Sequence, residues 1–106
     1  MINKIELNGI SAKQVIATLT KEYGWRFIYL SDTEAGFIYN FFDEYGFEYQ
    51  RSIYLRATKN DKAILVYVNK KEFPAFAREY DLDADITQII ADYIDSAFPN
   101  SVSFIR

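Results

Sequence analysis

The chain has no cysteine and no histidine, and only two prolines, four glycines and one methionine. Each shortage removes a class of function. Without Cys there is no disulfide framework, no thiolate metal site and no thiol nucleophile. Without His the commonest general base, the commonest transition-metal ligand and the Ser-His-Asp triad all disappear. The glycines, Gly9, Gly24, Gly36 and Gly46, stand singly, so no glycine-rich loop is present to cradle a phosphate. No apolar run approaches the ~18 residues that a membrane-spanning helix needs. Met1-Ile2-Asn3-Lys4 leads straight into alternating residues rather than a signal peptide. Carboxylates, Tyr, Lys and Arg remain and could support glycosidase-like or magnesium-dependent phosphoryl chemistry, but such sites need a larger cleft than one small domain offers. The expectation is a cytoplasmic protein, not an enzyme, with no cofactor, no metal and no membrane association.

What is present is 106 residues, 50% apolar and 25% charged, with a net charge of -3. That composition suits one globular domain spanning residues 1–106. Asn3 to Leu7 alternates polar and apolar residues and stops at Asn8-Gly9, which reads as a strand and a turn. Ser11 then opens a helix, with Gln14 at capping-box spacing. Its stripe is Ala12, Val15, Ile16, Leu19 and Tyr23, and Gly24 follows in the C′ position.

From Trp25 to Asn69 the period changes to that of strands. Trp25–Leu30, Phe47–Ala57 and Lys62–Asn69 are rich in aromatic and β-branched residues. Within Phe47–Ala57 the residues Phe47, Tyr49, Ile53 and Leu55 face one way and Glu48, Gln50, Ser52 and Arg56 the other. Ala63 to Val68 is apolar on both faces, which predicts a central strand covered on both sides. Two readings compete for residues 31–45. Ser31 and Glu34 have capping-box spacing, and Ala35, Ile38, Phe42 and Tyr45 make a helical stripe. Gly36-Phe-Ile-Tyr-Asn-Phe-Phe42 has instead the propensity of a strand leading into the turn Asp43-Glu-Tyr-Gly46. Propensity decides for the strand.

The last third reads as helical. Phe73, Phe76, Ala77 and Tyr80 recur at helical spacing, and a further helix starts near Asp83 with Ile86, Ile89, Ile90, Tyr93, Ile94 and Ala97 on one side. Val102–Ile105 is a short terminal strand. The predicted fold class is α+β, with a mainly antiparallel sheet in the order β-α-β-β-β-β-α-α-β and helices packed on at least one face.

Two surfaces are candidate sites. Residues 79–106 carry Arg106 against six acids, a net of -5, while residues 1–78 carry +2. On the last helix Asp85, Gln88, Asp92 and Asp95 fall opposite the isoleucines and form an acidic lane suited to a basic protein partner. The second surface rests on nine tyrosines, since Tyr favours contacts where one edge stays wet. Tyr29, Tyr39, Tyr54 and Tyr67 are expected to project from the sheet, toward a partner or a second copy in a homodimer. Asp81, Asp83, Asp85 and Asp92 have the outline of a calcium loop, but Ile86 stands where the loop needs Gly, and Asp92 where it needs Glu.

The functional expectation is a small acidic protein-binding module, an inhibitor or antagonist that blocks a partner's working surface. A phage-encoded inhibitor of a nucleic-acid enzyme, of the anti-CRISPR type, or a toxin-immunity protein would fit. The alternative is a nucleic-acid-binding module using Arg26, Arg51, Arg56, Lys59 and Lys62 among the sheet aromatics. The overall acidity disfavours it.

Overall fold

A computed structural model describes residues 2–24, 26–42, 44–68 and 82–105 of the chain. In chain order the elements are β1 (Ile2–Leu7), α1 (Ala12–Glu22), β2 (Phe27–Ser31), β3 (Glu34–Phe42), β4 (Glu48–Ala57), β5 (Ala63–Val68), α2 (Leu82–Ala97) and β6 (Val102–Ile105). The helix expected from Phe73, Phe76, Ala77 and Tyr80 lies outside the described residues. The rest follows the predicted α+β order.

The six strands form one antiparallel sheet in the order β2-β3-β4-β5-β1-β6. Four consecutive strands make a meander, and the N-terminal strand then enters between β5 and the C-terminal strand. Both helices lie on one face, where Ile5, Val15, Ile16, Leu19, Ile53, Leu55, Ile64, Val66, Ile86, Ile90 and Ile94 join one buried cluster. Leu65 and Tyr67 of β5 point the other way and are half-exposed. As expected, β5 lies inside the sheet with a neighbour on each side; among the described residues no helix lies on its second face.

The period of two explains why residues 34–42 are strand. Ala35 and Phe37 are buried against the helices and Tyr39 is half-buried there. Ile38 and Phe42, which a helix would have placed beside Ala35, are exposed. Gly36 sits opposite Tyr54, and a Cβ on it would come within 3.3 Å of the Tyr54 ring. That ring covers the glycine's bare backbone, a pairing that compensates for the weak strand propensity of Gly.

The start of α1 is tied to the β4–β5 turn. Ser11 caps the helix by accepting from Gln14 N at 3.0 Å. Asp61 supplies the other two acceptors: its carbonyl takes Ala12 N at 2.9 Å, and its carboxylate takes Lys13 N at 2.9 Å. Asp61 does this from a left-handed conformation (φ 60°), which Asp tolerates better than most residues. An Asp61→Ala change is therefore expected to cost about 2 kcal/mol, roughly 1 from the cap and 1 from the left-handed backbone. Urea unfolding checks this, and Asp61→Gly should recover the backbone share. At the other end Tyr23 closes the helix on Leu19 O, and Gly24 is not left-handed. Its role is clearance, since a Cβ there would stand 2.9 Å from Thr20 O.

On α2, Thr87 and Ala91 are buried beside the isoleucines, whereas Ile89, Tyr93 and Ala97 are only half-buried. Asn3 of β1 donates to the Thr87 hydroxyl at 2.9 Å, which fixes the helix against the strand. Tyr23, Phe27, Phe37 and Tyr93 meet in one ring cluster that joins α1, β2, β3 and α2.

Candidate functional site

Strand lengths are unequal, and the difference makes an arm. β3 and β4 pair over nine positions, from Glu34 with Arg56 to Phe42 with Glu48. β2 reaches along β3 only to Phe37, and β5 along β4 only to Ile53. Among the described residues, Ile38–Phe42 and Glu48–Ser52 therefore pair only with each other. Five residue pairs extend beyond the described neighbours by roughly 17 Å at ~3.4 Å per residue, although Tyr39 and Arg51 among them still lie against the helix side; the molecule is 42 Å long and 25 Å across.

At the end of this arm Phe42, Tyr45 and Phe47 are 66%, 76% and 65% exposed. Gly46, at φ 82°, supplies the left-handed residue that turns the chain. Glu44 and Glu48 stand exposed among the rings. No Lys or Arg occurs between Arg26 and Arg51, a stretch with five acids. The tip thus combines large apolar area with negative charge.

The second face of the sheet, helix-free among the described residues, begins at the base of the arm. Ile28, Gly36, Tyr54 and Tyr67 occupy one row across β2, β3, β4 and β5. Its charges are matched locally: Arg56 Nε lies 3.1 Å from Glu34 Oε1, and Lys4 Nζ 3.4 Å from Glu6 Oε1. Such exposed pairs contribute about 0–1 kcal/mol; their main effect here is a face with little net charge.

The tyrosines expected to act together are divided. Tyr54 and Tyr67 are register partners on the helix-free face. Tyr39 is on the helix side, half-buried against the core. Tyr29 lies on the outermost strand, and its hydroxyl donates to Asp32 Oδ1 at 2.5 Å. The hydrogen bond to Asp32, helped by partial desolvation and the carboxylate's charge, raises the phenol above its ordinary range.

The acidic lane is on the opposite side of the molecule from Tyr54. Gln88, Asp92 and Asp95 are exposed along α2. Asp92 accepts from Gln88 Nε2 at 2.9 Å, and Asp95 accepts from Asn100 N at 3.1 Å. Asp95 therefore holds the turn after the helix, where Asn100 is left-handed at φ 64°. Asp85 belongs to α2, but its side chain lies outside the described residues. Because α2 is helical from Leu82 onward, Asp83, Asp85 and Asp92 lie along a rod and cannot wrap an ion as a loop would. Among the described residues no three acidic side chains gather closely enough to hold a metal.

The basic residues are also dispersed. Arg51 is only 5% exposed and points to the helix side, in register with Tyr39. Arg26 donates to the Tyr93 hydroxyl, and Arg56 is engaged by Glu34. Lys59 and Lys62 are exposed around the β4–β5 turn, beside Lys4 in an open depression of about 520 Å³. Among the described residues no continuous strip of bases runs between the exposed rings.

Sequence reasoning passed over Phe42, Tyr45 and Phe47 as a group, because alternating aromatics normally signal burial. The base-free run from Phe27 to Gln50 is the signal that separates them from a core. Comparison with family models, with curated proteins and with solved structures finds no match to the chain. No helix among the described residues is long and apolar enough to cross a membrane.

Proposed function

We propose that this chain is a protein-binding module, without catalytic activity, that acts by seating its hairpin arm on a partner and blocking the surface it covers. The observation that carries this reading is the arm tip, where Phe42, Tyr45 and Phe47 are each about two-thirds exposed or more beside Glu44 and Glu48. Aromatic rings supply the anchors of protein interfaces at low entropic cost, and these three keep most of their area exposed. The acids select the partner. A nucleic acid or an anionic membrane would be repelled by the tip, whereas a basic protein groove would be attracted and steered. The biological setting that suits such a device is antagonism of an enzyme with a basic working groove, including one that handles nucleic acid.

The test compares two acidic surfaces on the same fold. A tagged bait captures its partner from the native host, and titration calorimetry with the purified partner then measures Glu44→Lys/Glu48→Lys and Asp92→Lys. The arm variant should weaken binding by at least ~10-fold at low salt and less at high salt, while the helix variant stays near the parent. The reverse pattern would transfer the function to α2. Tight binding of a single-stranded oligonucleotide at physiological salt would refute the reading altogether.

A further inference from the structure

A sheet ends in two edges, each a row of main-chain donors and acceptors able to pair with another strand. Here the two edges differ. β6 is four residues long, its register with β1 shifts at Glu6/Leu7, and Ser103 turns its hydroxyl onto Glu6 O. β2 is one residue longer and has a register shift of its own, between Tyr29 and Ser31, so what sets it apart is its exposed apolar run and the charges that flank it. β2 lacks charge and proline: it reads Phe-Ile-Tyr-Leu-Ser. Ile28, Tyr29 and Leu30 are 60%, 56% and 50% exposed along it. Immediately outside the strand stand one base, Arg26, and one acid, Asp32.

We infer that β2 pairs with β2 of a second copy, antiparallel about a two-fold axis at Tyr29, to give a continuous sheet through both molecules. The sequence is self-complementary in that register. Tyr29 faces its own copy, Ile28 faces Leu30, Phe27 faces Ser31, and Arg26 faces Asp32 at both ends. A two-fold contact requires such matching, because every residue must suit its mirror position in the same sequence. Existing contacts do not have to be surrendered. Arg26 meets Tyr93 and Asp32 meets the Tyr29 hydroxyl, yet a guanidinium has five donors and a carboxylate about four acceptor sites. The partner is thereby specified as a second copy rather than an unrelated strand, which would bring no matching charges to both ends.

The register shift between Tyr29 and Ser31 bends β2 after the axis. It restricts regular pairing to a few residues on either side, so the buried area falls below the roughly 1,200 Å² of a standard stable interface. The association is expected to be reversible, with a Kd in the micromolar range. The two arms would point in opposite directions, since they leave their sheets at the same end of antiparallel strands. Dimerisation therefore leaves each tip open to its own partner.

Sedimentation equilibrium from micromolar to submillimolar protein tests the inference. The parent should show a monomer–dimer equilibrium. Ile28→Lys, which places like charges close to the axis, should raise Kd by at least ~10-fold. Arg26→Asp and Asp32→Arg should each weaken the dimer, and the double variant should restore it; circular dichroism confirms that each is folded. Phe47→Ser, at the arm, should leave the dimer unchanged whatever it does to partner binding. A parent that stays monomeric throughout overturns the inference. So does a dimer that survives Ile28→Lys and ignores the charge swap, which would place its contact elsewhere.

Discussion

Changing Phe42, Tyr45 and Phe47 together to Ser is expected to leave the unfolding midpoint almost in place and to reduce partner affinity by more than ~100-fold. The two halves of this expectation have different origins. In the free protein these rings are mostly in water, so their removal changes folding by about 1 kcal/mol or less. In a complex they would be the anchors, and loss of an aromatic anchor typically costs ~2 kcal/mol or more. Two such losses exceed a factor of 100, because each 1.4 kcal/mol is about tenfold. Calorimetry with the purified partner and a thermal melt of the variant measure both halves on one sample. An affinity within a fewfold of the parent would remove the arm from the interface.

The largest effect on stability is expected from Ile64→Ala. Ile64 is fully buried, on a strand with neighbours on both sides, and stands opposite Ile5 on β1 and Ala57 on β4. The small Ala57 means that Ile64 itself fills much of the space there, and a hydrogen-bonded strand cannot collapse into the void. Truncation should cost about 3–5 kcal/mol, near the top of the range for such changes. That is a large part of the roughly 5–15 kcal/mol that holds a domain of this size. The melting temperature should fall by roughly 15–30 °C at ~4–8 °C per kcal/mol. Ile38→Ala, equally apolar but exposed on the arm, is the matched control and should shift it by a few degrees at most.

Local chemistry was legible in the sequence where a residue acts on its chain neighbours. Ser11 announces α1 because the cap and its target are three residues apart. The isoleucines announce α2 because a helix repeats its buried face every turn. Residues 34–42 could be resolved because propensity and period agreed on a strand. What the sequence could not reveal depends on distant partners. Asp61 looks like an ordinary turn residue until the turn is seen to abut α1. Arg51 looks like a solvated strand charge, and it is buried because its position shares the inward side with Ile53. The tyrosines were grouped by type, yet one-residue differences in position send Tyr39 and Tyr54 to opposite faces. The acidic lane was read as surface charge alone, whereas Asp95 is needed where the chain turns after α2. The arm was hidden for a related reason: each strand's length could be guessed singly, but an overhang exists only relative to the neighbours.

The placement of β1 has a consequence for how the molecule comes into being. The first strand of the sequence is hydrogen-bonded to β5 on one side and β6 on the other. Its partners are about sixty and a hundred residues further along the chain, so loop closure must precede any reward for pairing. The meander from β2 to β5 consists of local hairpins and can assemble early, whereas β1 waits with both edges open. Completion of the sheet should consequently be the slow event, in the millisecond-to-second range of non-local β topologies. During that interval the waiting strand, rather than the finished surface, is the part of the protein most exposed to capture by the wrong neighbour.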